Sequence, residues 1–377
     1  MSAILPDHDA PRNAAGNAPL NGMGNAPLNG MGNAPLNGMG TAITAVRGAT
    51  AAWAASWITA WDQFWFTPQR PHTLALIRIA TGLMLLYSQA VLALRLGDFL
   101  GDDAWVNNRT IAALNRGEFG APSGARSYLW LISSSVLLWG HHMLTMAASA
   151  CLAIGFMTRF TAPLAWFLQL MLIHRLTGVL FGLDQITTTL AMYLMIAPSG
   201  AVFSVDAWLR KRLAGPIARD PRLAWLFPDD SPSVMSAIAT RLAQIHLCVI
   251  YLFGGLWKAR GTTWWDGTAM WFAAANYEYQ SLNLTWLGRF PVVFSALTHL
   301  TVFWEVFYCA LVWPKLTRPL VLATAVAVHG GIALFLGMIT FGSMMIVANA
   351  IFVSPDWVAR LTDRGADQRS ADSSLAR

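Results

Sequence analysis

The stretch LFGGLWKARGTTWWDG, residues 252–267, sets Lys258 at the end of an apolar run, between a glycine pair and a tryptophan pair. A lysine in such a place has two uses. In a dry, apolar pocket its amine can work as a neutral base. At a bilayer surface the same letters describe an interface anchor. Trp257, Trp264 and Trp265 flank the lysine and Asp266 follows it. Such rings can exclude water and stack on a flat apolar ligand such as a quinone.

Other ionisable residues also interrupt apolar runs, where a bare charge is costly and needs a partner or a wet cavity. Glu305, in FWEVFYCA, falls near the middle of one run, and Arg78, His329 and Lys258 are the partners on offer. His329, in AVHGGIALF, precedes two glycines that permit close helix approach or leave room for a ligand. His329 and His246 also have a plain reading as hydrogen-bonded packing residues. Arg78, close to a helix end, either snorkels to the interface or serves function. Arg175 and Asp184 are expected to pair near the opposite interface. No two histidines or carboxylates stand four apart on one helix face, so no metal is expected. Cys151, Cys248 and Cys309 lie within apolar runs without paired spacing, which supports neither a disulfide framework nor a zinc site.

The elements that must hold these residues follow from composition. The chain is 55% hydrophobic and 12% charged with 18 tryptophans, more apolar surface than one soluble core hides. The expected fold is an all-α membrane bundle. Its net charge of +6 comes from bases in loops beside apolar runs, which excludes nucleic acid as the natural partner and leaves membrane lipids. Expected spans cover about 74–96, 134–156, 160–178, 182–203, 238–258, 291–313, 318–338 and 340–354, eight in all. Most approach the roughly 20 residues that cross a hydrocarbon core of about 30 Å; the last is short and is tilted or half-inserted. Arg47, Arg70, Arg159, Arg210, Lys211, Arg212, Arg219, Arg222, Lys315 and Arg318 then share one side, placing both termini in the cytoplasm.

Residues 1–60 are expected to be a disordered cytoplasmic tail. Three GNAPLNGM repeats occupy 16–39, a tract too poor in apolar surface to offset its ordering entropy and without the apolar core of a signal peptide. WDQFWFTPQRP, from Trp61, reads as a short interfacial helix. The membrane domain covers 61–362, and residues 363–377 form a short polar tail.

YLFGGLWKARGTTWWDGTAM, residues 251–270, resembles the segment around the active lysine of vitamin K-dependent γ-glutamyl carboxylases. ALFLGMITFGSMMIVANAIFVSPDWVARL, residues 333–361, is similar to the last membrane helix of that family, and LALIRIATGLMLL and SVDAWL match further segments. Together these identify residues 61–362 as a member of the horizontally transferred transmembrane domain (HTTM) group of bacteria, which shares the carboxylase membrane core. The resemblance implies a multi-pass protein of the bacterial cytoplasmic membrane. In the carboxylase a lysine takes a proton from reduced vitamin K; the anion reacts with oxygen, and the strong base so formed opens the γ-carbon of a glutamate to carbon dioxide. Lys258 would be the initiating base, with a reduced quinone as cofactor and His329, Glu305, Trp257, Trp264, Trp265, Asp266 and His246 around it. The pattern departs at GLDQIT, where the animal enzymes carry a histidine and Asp184 or Gln185 would have to substitute. No counterpart of the large extracytoplasmic domain that holds the peptide substrate is expected after SPDW, so no protein substrate is read. Two functions follow: a lyase-like enzyme coupled to quinone epoxidation, or a non-catalytic quinone- or lipid-binding membrane module. Transport is weaker, for want of an inverted repeat.

Overall fold

The computed structural model describes residues 34–362 apart from 119, 121–123 and 125, and excludes the side chains of 34–43 and 45. The polar tail at 363–377, residues 1–33 of the expected disordered segment, and most of the repeats lie outside the described residues. From Ala34 the chain is helical: α1 runs Ala34–Phe66, 33 residues, well ahead of the interfacial helix expected at Trp61. Its alanine-rich middle favours helix, and Pro68 forbids continuation beyond Thr67.

Two compact units divide at Thr59 and Ala60. In the first, α1 presents Trp53 and Trp57 with their rings edge to face at 5.7 Å. The second unit is built from α2 (His72–Ala93), α3 (Ser135–Ile154), α4 (Thr158–Arg175), α5 (Gly182–Leu194), α6 (Val234–Lys258), α7 (Pro291–Leu311), α8 (Arg318–Phe335) and α9 (Ile339–Asn349), joined by loops and short helical turns. Among the described residues the strand-type pairing is one isolated bridge, Gln69 with Ser233.

Five of these helices, α2, α3, α6, α7 and α8, are long and apolar enough to cross a membrane. Over α8 only 17% of the apolar window is buried within the protein, so most of its surface meets whatever apolar medium surrounds it. The other three expected spans come out shorter or more polar. α4 spans 18 residues but includes Pro163 and ends in His174 and Arg175. The 13 residues of α5 reach about 20 Å, because the IAPSG stretch turns the chain where a continuous helix to residue 203 was expected. α9 has 11 residues and, with the turn Ala350–Phe352, meets the terminal helix Pro355–Thr362 at a 100° bend.

Two buried arginines hold this frame, and both expectations for them are corrected. Arg78 does not snorkel: it is fully buried in α2, where Nη1 donates to Leu152 O (2.7 Å) and Ala153 O (2.9 Å), Nε to Ser199 O (3.0 Å) and Nη2 to Phe203 O (2.7 Å). The last carbonyls of α3 lie at the end of its regular ladder, where Leu152 O takes the Gly155 N–H of the cap (3.2 Å), and they carry the negative end of its dipole, which draws in a cation. Nor does Arg175 pair with Asp184. It donates to Asn108 Oδ1 (3.1 Å) and Val106 O (2.9 Å), while Asp184 Oδ2 accepts the Phe181 N–H (2.9 Å) at the start of α5. SVDAWL also acquires a structural meaning. Asp206 accepts the N–H groups of Met157 (2.7 Å) and Thr158 (2.9 Å) and the Thr158 hydroxyl (2.7 Å), capping α4 from across the fold.

Candidate functional site

Helical spacing assembles the site before any tertiary contact does. On α6, Tyr251, Gly254, Gly255 and Lys258 fall at i, i+3, i+4 and i+7, one face of a helix; on α7, Thr301, Trp304, Glu305 and Tyr308 do the same. Gly255 brings the two faces together: a Cβ there would stand 2.8 Å from Val306 Cγ2 and 2.9 Å from the Val306 nitrogen.

This approach delivers Lys258 to Glu305. The ammonium donates to both carboxylate oxygens, Oε1 at 2.9 Å and Oε2 at 2.7 Å. The Lys258 side chain keeps 29% of its exposure and Glu305 only 9%, so the pair leads from the protein edge into the helix packing. Trp264 covers the ammonium, its ring centroid 5.6 Å from Nζ. Among the partners on offer for Glu305, the structure selects Lys258.

Deeper on the same helices lies a hydrogen-bonded chain built from side chains of α6, α7, α8 and α9. Tyr308 donates its hydroxyl to Asn349 Oδ1 (2.7 Å), and Asn349 Nδ2 donates to the Tyr251 oxygen (2.7 Å). With its oxygen already accepting, the Tyr251 hydroxyl donates to His329 Nε2 (2.7 Å). That assigns the remaining ring proton of neutral His329 to Nδ1, which is buried and has no hydrogen-bond partner. All four side chains are buried; Tyr251 lies against Tyr308 with centroids 4.1 Å apart, and Trp304 meets its edge at 4.9 Å. Close approach of α9 beneath α8 depends on Gly342, whose missing Cβ would collide with the His329 carbonyl. Tyr251 lies two turns before Lys258 on α6 and Tyr308 one turn after Glu305 on α7, so the hydrogen-bonded chain runs along the same two helix faces as the ion pair.

Residues singled out in the sequence therefore divide. Lys258, Glu305 and Trp264 converge, while His329 belongs to the separate hydrogen-bonded chain that it enters through Tyr251. Trp257 instead faces outward, 73% exposed, beneath the Arg260 guanidinium at 5.0 Å. Trp265 donates Nε1–H to Ala259 O (2.6 Å), and its own carbonyl lies 3.1 Å from His299 Nε2. Asp266 Oδ1 accepts the N–H (2.9 Å) and hydroxyl (2.5 Å) of Thr268, closing the turn after the tryptophan pair. His246 pairs through Nδ1 with the Tyr193 hydroxyl (2.7 Å). Tyr251, Tyr308 and Asn349 carry no formal charge, so an apolar run does not mark them as costly in the way it marks Lys258 or Glu305. Tyr251 stands seven residues before Lys258, and Asn349 is a primary amide in an apolar helix; both are visible signals.

As chemistry, the arrangement can hold a proton in either of two places on the Lys258–Glu305 pair and offers one buried N–H donor, His329 Nδ1. Among the described residues no three His, Cys, Asp or Glu side chains gather as a metal site. The chain matches no protein-family model, no curated protein and no solved structure.

Proposed function

We propose that this multi-pass membrane protein belongs to the HTTM group and that its Lys258–Glu305 pair exchanges a proton with a reduced quinone-type ligand. The observation that carries the reading is the bidentate ion pair at the α6–α7 contact, on the helix faces that also hold the buried chain from Tyr308 to His329. In the same reading α4, α5 and α9 are shorter membrane-embedded helices that complete eight segments. Both chain ends face the cytoplasm of a bacterium.

The residues present fit a flat ligand with polar ends. His329 Nδ1–H is an unpartnered donor for a ligand oxygen, and Tyr251, Trp304 and Phe341 supply ring surface around it. A Cβ at Gly254 would stand 3.6 Å from Glu305 Oε2 and 3.9 Å from Lys258 Nζ, so the face beside the pair has room for one carbon in ordinary contact. When bound, a reduced quinone supplies an acidic hydroxyl and two reducing electrons. Lys258 becomes a neutral amine by passing one proton to Glu305, and the freed lone pair then accepts the hydroxyl proton. Trp264 shields that exchange from water.

A second reading rests on the same pairing. A carboxylate that holds both oxygens against the ammonium commits Lys258 to an ion pair, which suits a quinone- or lipid-binding module without turnover. The two readings separate in liposomes given reduced menaquinone, oxygen and labelled bicarbonate. The enzyme reading expects quinone epoxide or fixed label from wild type and at least a hundredfold loss in Lys258→Ala. Equal product from wild type and variant removes the lysine from the chemistry. Saturable quenching of tryptophan fluorescence by menaquinone, without product, selects the binding module.

A further inference from the structure

A cavity of about 540 Å³ opens away from the Lys258 site, lined by His72, Phe203, Ala207, Arg210, Lys211 and Asp230 among others. That volume falls within the roughly 300–1,000 Å³ of small-ligand sites. His72 is the first residue of α2, so the cavity lies level with the helix ends, where lipid headgroups would sit. The short helix Val205–Arg212 forms one wall and shows interfacial chemistry: Trp208 is exposed, with the Arg212 guanidinium 5.4 Å above its ring.

The cavity floor is tied to the buried frame by hydrogen bonds. Phe203 adopts a left-handed backbone (φ +51°), costly for a side-chain-bearing residue, and its carbonyl is held by buried Arg78. Arg210 is also fixed, donating to Phe227 O (2.5 Å) and Asp229 Oδ2 (3.4 Å). Two opposite charges on the lining stay unspent. Neither Lys211 nor Asp230 has an ion-pair partner within 4.0 Å among the described residues, so they face one cavity without closing on each other. A simple anion would satisfy Lys211 and oppose Asp230. A ligand with separated charges of both signs satisfies both.

We propose that this cavity holds the headgroup of an aminophospholipid, its phosphate diester against Arg210 and Lys211 and its primary ammonium against Asp230. A primary ammonium donates hydrogen bonds to a carboxylate; the trimethylated ammonium of a choline lipid has none to donate. A glycerol headgroup carries no cation for Asp230. The site thus ranks ethanolamine above choline and glycerol lipids.

The test uses the full chain, purified in detergent and stripped of lipid. It is offered an equal mixture of phosphatidylethanolamine, phosphatidylcholine and phosphatidylglycerol with identical acyl chains, and retained lipid is counted by native mass spectrometry. Wild type is expected to keep the ethanolamine lipid about fivefold over either competitor. Asp230→Asn should erase that ranking, and Lys211→Gln should weaken all three lipids together. Both residues are exposed, so the variants should melt with wild type. Equal retention of the three lipids by wild type, or an unchanged ranking in Asp230→Asn, overturns the proposal. Complete displacement by soluble glycerophosphoethanolamine overturns a lipid as the occupant.

Discussion

Lys258 and Glu305 illustrate how an ion pair at the edge of an apolar bundle differs from one on a soluble surface. Separating surface charges costs little, but leaving Glu305 alone at 9% exposure strands a carboxylate within the helix packing. Lys258→Met should therefore destabilise by about 2–4 kcal/mol, while Lys258→Met with Glu305→Leu recovers most of that loss. Thermal unfolding of the single and double variants in one detergent gives the coupling directly, and additive losses would rule out a direct pair. Tyr251 poses a sharper case. Tyr251→Phe removes one oxygen that serves two partners, leaving His329 Nε2 without its donor and Asn349 Nδ2 with only the Met345 carbonyl. About 2–4 kcal/mol should be lost, against little for Tyr193→Phe, since the Tyr193 hydroxyl bonds only one half-buried histidine. If the two variants melt together, the buried chain contributes nothing special.

At the level of elements, adjacent glycines in α6 do different work. At Gly255 a methyl would press on Val306 backbone and side chain, so Gly255→Ala should cost about 1–3 kcal/mol. At Gly254 the nearest atoms are at ordinary contact distance, so Gly254→Ala should leave the melting temperature unchanged and weaken menaquinone quenching instead. Equal effects on stability would show that α6 and α7 can part. The same helices mark what the sequence made legible. Lys258 and Glu305 stood out because charge inside an apolar run is rare and costly, and Lys258 was one of three partners on offer for Glu305, beside Arg78 and His329. Tyr251 and Asn349 stayed hidden because neither is charged and their value arises only where four helices meet. The end of α5 was misplaced for another reason: apolar residues on both sides of Pro198 and Gly200 keep the average hydropathy high through a turn.

For the molecule as a whole, helix chemistry was read more readily than helix length. The apolar runs identified α2, α3, α6, α7 and α8 near their observed places, whereas α1 was hidden behind a polar, glycine-rich beginning. Topology is the matching prediction. Single cysteines at Arg212 and Lys315, in a background with Cys151, Cys248 and Cys309 replaced, should react with a membrane-impermeant maleimide only in inverted vesicles. Cysteines at Asp103 and Glu278 should react only in right-side-out cells. Any pair labelled from both sides, or Arg212 and Asp103 labelled from the same side, would refute the arrangement.

Arg78 has one more consequence, for how the chain is made. Its four acceptors lie in residues 152–203, so α2 leaves the ribosome with a guanidinium whose last partner is 125 residues away in sequence. Until Phe203 has been synthesised, that charge must wait near water, which places α2 shallow or tilted at first. Final seating of the first span is thus a late event, timed by the synthesis of the segment that follows α5.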